Sequence, residues 1–480
     1  MNKPLFFGLL CLTVASGCSF IPNLPSAQPP IPENWQEVKN LHPTTDPLAL
    51  PVATNSATLP WRQFYQHPLW QEVIDSALRN NRDLQATVAR MAKSKALLGI
   101  TDAARLPSLQ GNLLHQESRT PAELAQSGKA TRSTREDLQL AIPAFELDFW
   151  GRIHSLRESA KATYLANLET VQAVHILLIA QVAEALLLWR EAAERSTLAQ
   201  QQVALQQELL ELMTERQKVG LATAQSQLQA VTAWENAKVE WAEWQRQEGE
   251  AHHHLQLLSG HNWDPDRHWP LLEELILSDT LPEGVPALVL ASRPDVRAAE
   301  YRLQAANADI GAVRAAFWPQ ISLTGSLGVA SKGLQGLFQA GATTWSFLPS
   351  IEIPIFSAGR HQFAQEAAEA EQAALLAEYE KIVQQAFREV ADGLQARKVL
   401  ADKVAAQKSS YHAQWARQQL LLERWQAGVD SKQELLHQQL LVSEQAQQLR
   451  SVERQLLRNQ VMLYKALAGG STPTLSHSSP

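Results

Sequence analysis

The most reactive side chain in this 480-residue sequence is a cysteine near the amino terminus. Cys18 follows a lysine, a short apolar run and three small residues, an order that predicts a bacterial export signal over residues 1–17. The only other cysteine, Cys11, lies inside that signal. The exported chain would therefore begin with a single thiol, and attachment of a lipid is the chemistry expected there. An unmodified signal remnant is the alternative.

Two residues beside Cys18 bear on this chemistry. Ala15 stands where lipoprotein signals usually carry leucine, which predicts inefficient processing. Ser19 stands where aspartate would favour retention in the inner membrane, so it favours the outer membrane. Beyond residue 18 there is no uninterrupted run of 18 apolar residues, since the nearest approach, residues 176–189, contains Gln181 and Glu184. Any membrane crossing is therefore expected to use strands.

Other candidates for chemistry are weak. The run His252-His253-His254 lies in a polar helical stretch without a second cluster at metal-ligand spacing, so a metal site is not expected there. The formal net charge of -7 gives no basic bias toward nucleic acid. The sequence predicts neither an enzyme nor a cofactor-binding protein, apart from a covalent lipid on Cys18.

The elements that must position these residues occur twice along the chain. Landmarks recur once, in the same order, at separations of 206 to 212 residues, which indicates an internal duplication. The recurring landmarks are Asp83 with Asp295, Pro107 with Pro319, Pro143 with Pro349, Gly151 with Gly359, Gly220 with Gly428, and Gly260 with Gly469.

The sequence pattern in each copy predicts one helix of about 25 residues followed by two strands. Residues 319–330 alternate apolar and polar side chains, as a strand with one apolar face would. A second strand over residues 138–149 shifts its apolar phase just after Pro143, which predicts a bend or bulge. The matching Pro349 predicts the same bend in the second copy.

A very long helical hairpin should follow the strands in each copy. Residues 152–219 contain neither proline nor glycine, and residues 361–427 contain only Gly393. A continuous helix of that length would extend roughly 100 Å and cannot bury itself in a compact globule. Gly220 and Gly428 are suited to end these helices in the left-handed conformation. Thr223 and Ser431 are suited to cap the returning helices.

These features predict five segments and a pore shared between chains. The segments are a signal peptide (1–17), a lipid-anchored extended tether (18–60), a first repeat (61–264), a second repeat (283–470) and a disordered tail (471–480). Four strands per chain cannot close a barrel, so several subunits must contribute strands to one membrane pore.

Several segments resemble the TolC-type outer-membrane factors, most closely the lipoprotein branch that contains OprM and CusC. The resemblance implies an α+β membrane protein: a homotrimer with a twelve-stranded barrel continued by a periplasmic α-helical barrel. It also implies an exit duct for an efflux pump, with a periplasmic adaptor and an inner-membrane RND-type transporter as partners and with no cofactor. The segments are residues 145–152, 315–324, 351–356, 387–392 and 463–467.

The resemblance assigns roles to both hairpin tips. Val219-Gly220-Leu221 matches the family's adaptor-contacting motif, and Ala427-Gly428-Val429 is a looser second copy. The alternative is that both are only helix-ending turns. The family's narrow periplasmic mouth is closed by a leucine and an aspartate, but the corresponding positions here are Gln433 and His437.

A different set of contacts is therefore expected at the mouth, with Asp430 and Glu434 as further candidates. Protonation of three His437 side chains around a narrow axis would add repulsion and loosen the mouth. Alternatively, His437 only faces a neighbouring helix.

A second class of function remains open at this point. A periplasmic structural or adaptor lipoprotein could also carry long hairpins and a lipid anchor. The duplicated strand pairs favour the duct. The sequence leaves the cargo open among drugs, metal cations and polypeptides.

Overall fold

The computed structural model describes residues 19–25, 27, 59–278 and 292–469. The signal peptide, Cys18, most of the tether and the predicted tail lie outside these residues. Within them, the order of elements repeats as the sequence predicts. The elements are α1 (Trp61–Phe64), α2 (Pro68–Asn80), α3 (Arg82–Ala103), β1 (Gln110–Thr120), β2 (Thr131–Leu147), α4 (Arg152–Lys218), α5 (Ala224–Ser259), α6 (Pro294–Ala315), β3 (Gln320–Ser331), β4 (Thr343–Glu352), α7 (Arg360–Gln426) and α8 (Lys432–Ala466).

The chain divides into two compact units. One contains residues 91–167 and 299–379 with the amino-terminal residues 19–25, and the other contains residues 59–90, 168–278, 292–298 and 380–469. The first unit holds an antiparallel sheet in the order β1-β2-β3-β4. The second unit holds both hairpin tips.

The sheet has one apolar face because a bulge in β2 corrects the register. The pairing of β2 with β3 shifts between Ile142 and Phe145, and Ala144 has a φ of 32°. Without the extra residue, Ile142 and Phe145 would point to opposite faces; with it, both share the face of Leu138 and Leu140. The predicted bend after Pro143 is therefore confirmed.

The matching bend predicted at Pro349 is wrong. Pro349 pairs with Leu323 within an unbroken β3–β4 register. Among the described residues β4 has one neighbouring strand, and an edge strand tolerates a residue that lacks an N–H donor. The two copies therefore differ in their second strands.

The long helices are confirmed at 67 residues each, α4 and α7. Gly151 and Gly359, with φ of 71° and 83°, directly precede them. Gly393 does not interrupt α7. A Cβ at this position would lie 3.0 Å from Leu463 Cδ1 on α8. The missing side chain lets α8 approach closely.

The main core of the second unit is one cluster to which α2, the middle of α4 and α5 contribute. Trp70, Ile74, Leu186 and Leu187 are fully buried there. One 18-residue window of α4 is long and apolar enough to cross a membrane, but half of its residues are buried within the protein. The apolar run of residues 176–189, which Gln181 and Glu184 interrupt, therefore contributes to the packed core of the protein.

Candidate functional site at the hairpin tips

The first hairpin tip ends α4 with a glycine-dependent turn. Gly220 has a φ of 77°, and Leu221 N donates to Arg216 O at 2.7 Å. This bond satisfies a carbonyl that the helix end would leave unpaired. Thr223 Oγ1 accepts from Ser226 N at 3.1 Å and caps α5. The turn holds Val219 and Leu221 outward, at 68% and 70% exposure.

The second tip has the same backbone geometry. Gly428 has a φ of 75°, and Val429 N donates to Arg424 O at 2.9 Å. Ser431 Oγ accepts from Glu434 N at 3.2 Å, so the predicted cap on α8 is formed. Ala427 and Val429 are exposed, but only Val429 presents a large apolar side chain.

The side chains of the two tips are arranged differently. Arg424 donates to both carboxylate oxygens of Asp430 at 2.6 and 2.9 Å, which lowers the pKa of Asp430 and raises that of Arg424. In the first tip, the counterpart of Asp430 at the 208-residue offset is Ala222. Arg216, the counterpart of Arg424, therefore has no carboxylate in its own turn. It donates instead to Gln433 Oε1 at 2.9 Å.

The first turns of α8 consequently join the other hairpin through polar and apolar contacts. Lys432 forms an ion pair with Glu208 of α4. Leu436 is buried against Leu209 and Met213 of α4 and Ala230 of α5. The Arg216–Gln433 bond lies at the end of this small cluster.

The four predicted mouth residues have different surroundings. Gln433, Glu434 and His437 lie in the first turns of α8 with the i, i+1, i+4 spacing, whereas Asp430 precedes the capping residue Ser431. Asp430 and Gln433 are held by arginines, whereas the Glu434 and His437 residues are exposed. Within the described part of a single chain, no hydrogen bond joins any two of these four side chains.

Four functional candidates at the tips were missed from the sequence. They are the partners that hold the mouth residues and α8 in place: Glu208, Arg216, Arg424 and Lys432. A signal for two of them was present, because Arg216 and Arg424 are separated by the same 208 residues as Gly220 and Gly428. Their different partners could not be read from that spacing.

The histidine run has packing contacts. The His252 ring stacks on Trp189, with the ring centroids 4.7 Å apart. The Nε2 atom of His252 lies 3.0 Å from the carbonyl oxygen of Trp263. Among residues 19–25, 59–278 and 292–469, no group of three histidine, cysteine or acidic side chains is placed to hold a metal ion.

Comparison with known proteins identifies the family of the chain that carries these tips. The model of the outer membrane efflux protein family matches residues 73–261 and 285–469. The chain belongs to this family. The toluene efflux pump outer membrane protein TtgF of Pseudomonas putida is 38% identical over 469 residues, covering 96% of each chain.

Solved structures of the outer membrane efflux protein fold agree. A crystal structure of CusC is 32% identical with a TM-score of 0.78, covering 94% of this chain and all of that one. The open state of the Neisseria gonorrhoeae MtrE outer membrane channel is 30% identical with a TM-score of 0.81, covering 94% and 98%. The interpretation as an outer-membrane efflux channel is confirmed, in a family of channels rather than enzymes.

Proposed function

We propose that three copies of this chain form the exit duct of a tripartite efflux pump, with a periplasmic adaptor and an RND-type inner-membrane transporter as partners. The observation that carries the trimer is the four-stranded sheet. Its apolar face is continuous, and its edge strands β1 and β4 each have one neighbouring strand within the part of the chain that the structure describes. In a bilayer such edges must be paired, and copies of the same chain supply the missing strands. Three copies give the twelve strands implied by the resemblance.

Complementation and electrophoresis test this duct. The chain is expected to restore efflux in a strain that lacks its own outer-membrane channels, and to migrate as a heat-sensitive trimer from outer-membrane fractions. A chain that stays monomeric in those fractions contradicts the trimer. Repeating the complementation with the adaptor and the transporter from the same genome would show which compounds are exported.

A lipid on Cys18 would anchor this duct to the outer membrane. The residues just after it are seated on the first unit: Phe20 stacks on Trp318 at 5.7 Å, and Pro22 O accepts from Asn307 Nδ2 at 2.7 Å. Cys18→Ser should abolish incorporation of labelled palmitate, and unchanged labelling would contradict lipidation at this residue.

The tips are proposed to contact the adaptor through their exposed apolar side chains. Val219 and Leu221 offer a larger apolar surface than Ala427 and Val429, which makes the first tip the stronger contact. Val219→Ser with Leu221→Ser should weaken crosslinking to the adaptor. Val239→Ser, a change of an equally exposed valine on α5, is the matched control. An equal loss of crosslinking in the tip variant and in Val239→Ser would contradict the adaptor contact and favour ordinary helix-ending turns.

The periplasmic mouth is proposed to be held by α8, through Gln433 and Asp430 with their arginines. His437 and Glu434, which are exposed in the single chain, would approach the three-fold axis in the trimer. This arrangement replaces the leucine and aspartate pair of the family with a polar contact between hairpins.

A further inference from the structure

The apolar face of β1 and β2 changes its chemistry toward the loop that joins these strands. Leu113 and Leu138 are partners in the register and are 70% and 39% exposed on this face. Alternate residues continue the same face toward the loop, because successive side chains of a strand point to opposite sides. All of them are polar, and they form a polar strip of His115, Glu117, Arg119, Arg132, Thr134 and Glu136.

Two arginines lie directly opposite each other at the far end of this polar strip. Arg119 and Arg132 are partners in the β1–β2 register, and both are exposed. Like charges in this arrangement destabilise a sheet unless a counter-charge lies between them. Glu117 Oε1 lies 3.7 Å from Arg132 Nε, which is too long for a hydrogen bond. Among the residues that the structure describes, no carboxylate forms an ion pair with Arg119.

The second carboxylate of the polar strip is engaged elsewhere. Glu136 Oε1 lies 2.6 Å from His115 Nδ1, and the Glu136 side chain is 6% exposed. Neither guanidinium donates a hydrogen bond to another group in the described part of the chain. Arginine N–H groups form strong paired bonds with phosphate and carboxylate oxygens. The Arg119 and Arg132 side chains are therefore suited to bind one anion between them.

The arginine pair lies at the extracellular end of the sheet. At one end, β1 and β2 are joined to α3 and α4, whereas the loop of residues 121–130 joins them at the other end. The helices of this outer-membrane channel family are periplasmic, so that loop and the arginines beside it face outward. In a closed barrel the apolar face contacts lipid. The anion would therefore belong to the outer leaflet of the membrane.

The distance from the apolar residues to the arginines limits the kind of lipid. Arg132 lies six residues from Leu138, which is about 20 Å along a strand. A barrel strand tilted by about 40° rises about 15 Å over that length. The headgroup layer of a phospholipid bilayer is only about 5–7 Å thick on each side. An anionic lipid that reaches both features must therefore have a long headgroup, such as a phosphorylated chain of sugars.

We propose that the polar strip binds a phosphorylated glycolipid of the outer leaflet. Its acyl chains contact Leu113 and Leu138, and an anionic group of its saccharide lies between Arg119 and Arg132. This assignment rests on the proposed duct, because only a closed barrel turns this face toward lipid. Lipopolysaccharide has both parts, since it joins acyl chains to a phosphorylated saccharide core, and it is the probe for the site.

Binding of purified lipopolysaccharide to the detergent-solubilised trimer tests the assignment. Arg119→Gln with Arg132→Gln should lower the affinity about tenfold or more, because charge-assisted bonds to the anion are lost. The matched control is Lys129→Gln with Lys332→Gln, which removes two exposed charges from the loops at the same end of the sheet. This control should retain the affinity of the parent chain.

Lipid A, which lacks the saccharide core, separates the arginine site from the acyl contacts. It should bind the parent chain and the arginine variant equally, and more weakly than lipopolysaccharide binds the parent. Without any glycolipid, the arginine variant should dissociate on heating at no lower temperature than the parent trimer, because it lacks the repulsion between Arg119 and Arg132. A lower temperature would indicate that the arginines stabilise the sheet itself and would count against the site.

The remaining outcomes separate the site from the duct. Equal lipopolysaccharide affinity of the parent chain and the arginine variant overturns the site. Inorganic phosphate that protects the parent trimer from heat as well as lipopolysaccharide does would assign a free anion and also overturn it. The single variants Arg119→Gln and Arg132→Gln provide the same comparison if the double variant does not assemble. A parent chain that forms no trimer overturns the proposed duct instead.

Discussion

The bond between Arg216 and Gln433 should hold the periplasmic mouth closed, because it joins α8 to the other hairpin. Gln433→Ala removes the acceptor and Arg216→Ala removes the donor. A hydrogen bond to a charged group contributes about 1.5–3 kcal/mol, and partial exposure of this bond to water lowers the expected contribution to about 1 kcal/mol. Three equivalent bonds in a trimer would then bias the closed state by about 3 kcal/mol, so their loss should raise the ratio of open to closed channels roughly 100-fold.

Single-channel recording in planar bilayers measures that ratio. Gln225→Ala is the matched control, since Gln225 is the exposed counterpart of Gln433 at the 208-residue offset. The double variant Arg216→Ala, Gln433→Ala should open no more than either single variant, because all three lack the same bond. Additive effects, or an unchanged open fraction in both single variants, would refute the reasoning.

Two further changes probe the second tip and the helix packing. The lowered carboxyl pKa of Asp430 means that the stabilisation from the Arg424–Asp430 pair is present above the unfolded pKa and is lost only as pH falls through the lower folded pKa. The difference in open fraction between the parent chain and Asp430→Asn should therefore be the same at pH 7.5 and pH 5.5, and a difference that disappears at pH 5.5 would contradict this. Gly393→Val should destabilise the fold by about 1–3 kcal/mol through overpacking against Leu463, seen as earlier thermal unfolding. Gly249→Ala, at a helical glycine with open space around it, should not unfold earlier, and equal behaviour of the two would contradict the packing argument.

Local patterns were sufficient for much of the architecture. Runs with no proline and at most one glycine predicted both 67-residue helices, and glycines that favour a positive φ predicted both tips. The phase shift after Pro143 predicted the bulge of β2. These features depend on backbone conformation and on side-chain periodicity along one segment, so neighbouring residues contain the information.

Tertiary structure decided which copies of a repeated residue have the same role. Arg216 and Arg424 are equivalent in sequence, but one bonds across hairpins and the other within its turn. Pro349 pairs in an unbroken β3–β4 register, whereas Pro143 lies in the bulge of β2. The neighbours of a strand determine whether the N–H donor that proline lacks is needed for pairing. Likewise, α3 and α6 have equal length but different burial. Partners far apart in sequence leave no periodic trace, so the sequence by itself determined the elements and only the packed chain determined their contacts.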